Sequence, residues 1–241
     1  MNDLHARTAI AVLQSGMRRV WLVLAALALG GVSCSSNEPD DASVATGLFP
    51  LVAHSGFNEH TTFRALFSTS AASPRWTVAD PKVATVAPSG PPSNATASMK
   101  SLSYALVTMT SAGETTVSAQ SGGTTLTARL VIVPYTDDDL VAGKARYETD
   151  SMDPARKPCA SCHAMAGGVD HSPLKMAGFD DPTILGVIQD ATYPAAATGQ
   201  RATSAYSPRG PLAFTGHKWN LTDPEKRGIL AHLRLLPLGG L

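Results

Sequence analysis

The sequence predicts a multidomain chain in which an all-β sandwich is followed by an all-α domain. Three observations point that way. Between residues 47 and 135, short runs rich in Val and Thr alternate apolar with polar residues and are separated by Ser, Gly and Pro, the pattern of half-buried strands. After "VPYTDDD" the apolar residues recur at helical spacing instead. The charge density changes at the same place: residues 46–135 carry five Lys/Arg and three Asp/Glu, residues 136–241 eleven and twelve.

Over the whole chain, nineteen basic and nineteen acidic residues cancel, and no Lys/Arg run is long enough to follow a phosphate backbone. Nucleic acid is therefore not an expected partner. At the front, Arg18 and Arg19 precede the thirteen-residue apolar run Val20 to Val32. That length suits the apolar region of an export signal and is too short to span a bilayer. A start at Met17, with the preceding residues an extension, is the expectation that follows, Met1 being the alternative. The run ends in "GGVSC" before the polar, acidic "SSNEPDD". These residues resemble a bacterial lipoprotein signal, which implies that Cys34 is lipidated and becomes the mature N-terminus. Gly31 departs from that pattern, and cleavage nearby without lipidation is the alternative. Residues 1–34 are thus an export segment, and the Ser-, Asp- and Pro-rich residues 35–46 a flexible tether. The expected location is the cell envelope, anchored to a membrane and facing the periplasm or cell surface.

In the β region, strands are expected at "TTFRALFS", "PRWTV", "KVATV", "SYALVTM", "ETTVSAQ" and "TTLTARLVIV", with turns at "SGPPSNATAS" and "QSGG". "WTVADPKVATVAPSG" and "SAGETTVSAQSGGTTLTARLVIV" resemble a bacterial immunoglobulin-like domain of the second group, which implies a sandwich over 47–135 that serves as spacer or adhesion module. Trp76 is expected to anchor its core. His54 and His60 read as solvated loop histidines, since no further ligands accompany them.

In the α region, "DLVAGKARYET" places Leu140, Ala142 or Gly143, and Tyr147 on one side, with acidic residues at its start where the helix dipole favours them. Asp137 to Asp139 read as a solvated helix start, because later calcium ligands at EF-hand spacing are missing. In "LTDPEKRGILAHLRLLP", Thr222 and Glu225 form a capping box, Pro224 fits the first turn, Ile229, Leu233 and Leu236 recur on one face, and Pro237 ends the run.

Two of the three cysteines lie between these helices in "CASCH", residues 159–163. Two thiols three residues apart on a helical turn can each add across a haem vinyl group, and a histidine directly after the second can reach the iron. A thioredoxin-like pair would want a buried strand before it, where "ETDSMDPARKP" stands instead. A zinc knuckle would need further ligands, for which only His171, His217 and His232 follow. Both remain as competing readings.

With "GKARY", "HSPL" and the final helix, the stretch 138–241 resembles a class I monohaem cytochrome c domain. The resemblance implies one covalent haem c held by Cys159 and Cys162, with His163 as proximal ligand and Pro173 accepting a hydrogen bond from it. It also implies a tight crossing of first and last helices, with Gly143 on the small side and His232 where an aromatic is usual. The loop before the last helix has no Met; His217 stands in about the place of the distal ligand, Met176 is the second candidate, and an open sixth position the third. Leu174, Phe179, Ile184, Leu185, Ile188 and Leu212 would wall the haem. The implied function is one-electron transfer to redox protein partners. Small-ligand sensing at an open sixth site, or a surface-binding β module with an accessory haem, are the alternatives.

Overall fold

The computed structural model describes residues 47–149 apart from 94 and 96, 158–163, 176–190, 219–236 and 238, with Ser161 and Cys162 described in backbone only. All of them fall in one compact unit, Ser36–Leu241. The strands are β1 (Leu48–Phe49), β2 (Val52–Phe57), β3 (Arg64–Thr69), β4 (Arg75–Val78), β5 (Ala84–Ser89), β6 (Ser103–Met109), β7 (Gly113–Ser121) and β8 (Thr124–Pro134). They make two four-stranded sheets, ordered β1-β3-β6-β5 and β2-β8-β7-β4. All neighbours are antiparallel except β2 and β8, which run parallel with Val52 opposite Arg129.

The alternation of apolar and polar residues sends one side of each strand inward. On β7 and β8, Val117, Ala119, Ala128, Leu130 and Ile132 are buried, and Ala65, Phe67 and Val107 meet them from the other sheet. The β7–β8 hairpin closes at Gly122 and Gly123, both at positive φ (55° and 82°). Only glycine takes two such residues without strain, and the resulting turn matches the twist of the strands it joins.

The helices are α1 (Ala97–Lys100), α2 (Asp137–Lys144) continuing into a π-helical turn (Ala145–Thr149), α3 (Ala160–His163), α4 (Asp181–Asp190) and α5 (Asp223–Leu235). Capping boxes start two of them. Thr136 and Asp139 bond reciprocally at α2, as Thr222 and Glu225 do at α5. The expected solvated acidic start of α2 needs correction at Asp139, which is buried and takes Arg227 Nη2 at 2.9 Å and Nε at 3.2 Å.

The expected fold class, an all-β immunoglobulin-like sandwich followed by an all-α cytochrome c domain, does not hold. The described residues are mostly β-sheet with few helices, and the described helices build onto the sandwich without enclosing a separate core. One buried cluster runs from Phe67, Val107 and Leu130 through Phe63 and Tyr135 to Tyr147, Ile184, Ile229 and Leu233. The physical reason is the shortness of the helices. The apolar stripe of a helix such as α4, ten residues long, gains most by covering the apolar end of a sandwich already formed. The segment after α3 is tied to the sheet as well, through His54 N–H donating to the Ala177 carbonyl at 2.7 Å. His54 is accordingly half-buried on strand β2, against the expected solvated loop.

Candidate functional site

The thiol and imidazole of the Cys-x-x-Cys-His run sit on a single helical turn. Cys159 leads into α3, and His163 N–H donates to the Cys159 carbonyl at 3.0 Å. Residues four apart on such a turn share a face. Cys159 is not in a disulfide, and with Ala160 it packs against the hydrophobic cluster. Cys162 has helical backbone; its side chain lies outside the described residues. A thiol and an imidazole joined by a backbone bond across one helical turn are the residue types that covalent haem attachment uses.

Three other expected site residues, Cys34, Pro173 and His217, lie outside the described residues, as do Leu174, Leu212 and His171. Met176 is partly buried against the common core. Its carbonyl accepts from Phe179 N–H at 3.0 Å and from Arg234 Nη1 at 2.6 Å. Ile184 and Ile188 are buried on α4, with Phe179 and Leu185 partly buried beside them. Among the described residues, no three His, Cys, Asp or Glu side chains gather at metal-binding distance. No helix among them is long and apolar enough to cross a membrane.

Helices α2 and α5 cross at two glycines. A Cβ on Gly143 would overlap the Gly228 carbonyl, and one on Gly228 would stand 2.7 Å from Gly143 N and 2.9 Å from the Asp139 carbonyl. One turn along, the Tyr147 and His232 rings lie 4.7 Å apart, tilted by 45°. Burial holds the His232 imidazole below its ordinary value, with Lys144 adding to the effect and Glu148 opposing it. His232 Nε2 is buried without a hydrogen-bond partner among the described residues.

Two arginines that sequence reasoning passed over are the most buried charged side chains among the described residues. Arg234, 1 % exposed, reaches from α5 to the Met176 and Phe179 carbonyls and to Asp181 Oδ1 at 3.0 Å, stitching residues 176–181 to the last described helix. Its place in "LAHLRLLP", inside an otherwise apolar face, was the available signal. Arg146 sits on the π-helical turn, 4 % exposed, with its guanidinium 4.1 Å from the centre of the Trp219 ring. Among the described residues, none of its three side-chain nitrogens has a hydrogen-bond partner. Nothing local in "GKARY" distinguishes it from a solvated helix arginine.

No protein-family model matches this chain, and no curated protein does. Among solved structures it is similar to domains 5–6 of the S-layer protein SbsC, at 16% identity and a TM-score of 0.29 over 37% of this chain and 43% of that one. A structure of domains 4 and 5 of the same protein gives 20% identity and a TM-score of 0.23, over 37% of this chain and 48% of that one. The chain thus spans less than half of either structure. Likeness at this level carries no functional argument.

Proposed function

We propose that this protein is an exported one-electron carrier with one covalently bound haem c. The observation that carries the reading is the order Cys159, Cys162, His163, with Cys159 and His163 set on one helical turn. When bound, the haem supplies an iron that cycles between ferric and ferrous states. Cys159 and Cys162 would hold the porphyrin as thioethers, and His163 would supply an imidazole ligand to its iron. Partly buried Met176 and His217 are the candidates for a second iron ligand, and the apolar side chains of α4 would help to exclude water. The N-terminal pattern supports export and lipidation at Cys34, and a lipid there would hold the haem near a membrane, within reach of redox protein partners.

The test is the visible spectrum, oxidised and reduced, of the full chain made in a host that matures c-type cytochromes. A haem that survives acid-acetone extraction and is lost in Cys159→Ala/Cys162→Ala is expected. Low-spin bands that turn high-spin in His217→Ala would make His217 the distal ligand. Bands unchanged in that variant and altered in Met176→Ala would assign Met176, and a high-spin wild type would assign an open position. No covalent haem in the wild type would overturn the reading.

A further inference from the structure

We propose that Arg234 is the latch of a flap, residues 176–190, and that opening of this flap admits water and small ligands to the haem site. The gate rests on the reading of Cys159, Cys162 and His163 as a haem attachment site; the latch does not. Residues 176–190 make one continuous piece. Phe179 N–H donates to the Met176 carbonyl at 3.0 Å, and Asp180 starts α4, its Oδ1 accepting from Thr183 N–H at 2.9 Å. Ten residues are too few to stay helical in water alone, so α4 is formed only while it is docked. Its amides therefore report the opening.

Among the described residues, the flap is joined to the rest of the molecule over a narrow front. Helices α2 and α5 lie closely along one another, whereas α4 meets α5 over a short stretch only. On α4 the buried apolar side chains are Ile184 and Ile188, one turn apart on one face. The polar ties converge on one side chain. From α5, Arg234 donates to the Met176 carbonyl at 2.6 Å and to the Phe179 carbonyl, and it meets Asp181 Oδ1 at 3.0 Å. One guanidinium thus grips both ends of the 176–179 turn and the first residue of α4. Hydrogen bonds from a charged donor are the strong ones, and a planar fork fixes direction as well as distance. Two single backbone bonds flank this grip. His54 N–H, on the edge strand β2, reaches the Ala177 carbonyl at 2.7 Å, and Trp219 N–H reaches the Ile188 carbonyl at 3.1 Å. The flap carries Met176 and the apolar face of α4, both assigned to the proposed haem site, so whatever loosens the latch opens that site.

Hydrogen exchange on the full chain reads the latch, with Arg234→Met, which has no charge, and Arg234→Lys, which keeps the charge without the fork. In Arg234→Met the amides of Ile184, Ile188 and His54 are expected to exchange at least about tenfold faster, the weight of one charged hydrogen bond. Those of Val117 and Ala119 on β7 are expected to stay at wild-type rates, and Arg234→Lys to fall between. Amides of α4 at wild-type rates overturn the latch, and so do β7 amides that accelerate by the same factor, since the whole unit then opens. Should Arg234→Met fail to fold, Arg234→Lys decides by the same comparison. The rate of imidazole binding to the ferric, haem-loaded protein reads the gate. Binding that speeds up together with exchange of the α4 amides supports it, and binding unchanged while those amides speed up overturns it. A wild-type protein without covalent haem overturns the proposed function and the gate with it, and exchange still decides the latch.

Discussion

His232 brings an imidazole into the α2–α5 crossing and leaves its Nε2 buried without a partner among the described residues. Burial keeps that ring neutral in the folded protein, its value lying below the unfolded 6.5. The unfolded chain therefore takes up the proton first, so this contribution to stability is full above that value and is lost as pH falls below it toward the folded value. His232→Phe keeps a ring against Tyr147 and removes both the orphan nitrogen and the titration. It is expected to raise stability by about 1–2 kcal/mol near pH 6 and to flatten the acid side of a midpoint-against-pH curve, read by thermal melts. Asp139 behaves in the opposite chemical sense. Burial alone would raise its carboxyl, but hydrogen bonds from Arg227 and Thr136 prevail and hold it below the ordinary value. A depressed carboxylate stabilises above its unfolded value, 3.8, and that stability is lost as pH falls through the folded one. Asp139→Ala opens the capping box and strands Arg227, itself half-exposed; a cost of about 2 kcal/mol at neutral pH is expected, shrinking in acid, by denaturant titration at several pH values.

Two glycines set the geometry of the α2–α5 pair. On Gly228 a methyl group would meet only backbone: Gly143 N at 2.7 Å, the Asp139 carbonyl oxygen at 2.9 Å and Ala142 C at 3.1 Å. Backbone cannot rotate aside, so the helices must separate. Gly228→Ala is therefore expected to destabilise by about 2 kcal/mol even though alanine is the better helix former by about 1 kcal/mol. Gly186, inside α4 with nothing within 4 Å, is the matched control. There the same substitution is expected to stabilise by about 0.5–1 kcal/mol, and urea midpoints of the two variants moving in opposite directions would check both. The contrast shows what was legible at this scale. Strands β3 to β8 follow the alternating runs, and the capping box at Thr222 and Glu225 marks the start of α5 directly in the sequence. Strand β2 was not legible, because "VAHSGF" lies between Pro50 and a loop, and its parallel partner β8 is remote in sequence. The site divides the same way. The order Cys159, Cys162, His163 is local and readable, whereas the burial of Arg146 depends on Trp219, which only tertiary structure brings over it.

Sandwich and helices share one buried cluster, and this decides how the molecule should come apart. Leu130 on β8 and Ile229 on α5 belong to the same apolar body, with Phe63, Tyr135 and Tyr147 between them. The His54–Ala177 hydrogen bond and the one from Arg227 Nη2 to the Pro134 carbonyl add polar ties across the same boundary. An all-α domain with its own core would unfold without regard to a change in the sheet. Helices that bury their apolar face on the sandwich lose that surface when the sheet opens, so their stability is bounded by that of the sheet. Leu130, fully buried, is the place to probe this. Leu130→Ala leaves a cavity in the sandwich and is expected to cost about 2–5 kcal/mol. If the unit is cooperative, hydrogen exchange at the α5 amides of Ile229 to Leu233 will lose the same free energy of protection as the β7 amides of Val117 and Ala119. Protection of α5 that stays at the wild-type level while β7 falls would show that the helices hold together on their own. The two folding units would then be separable after all, and the shared core an apposition of finished surfaces.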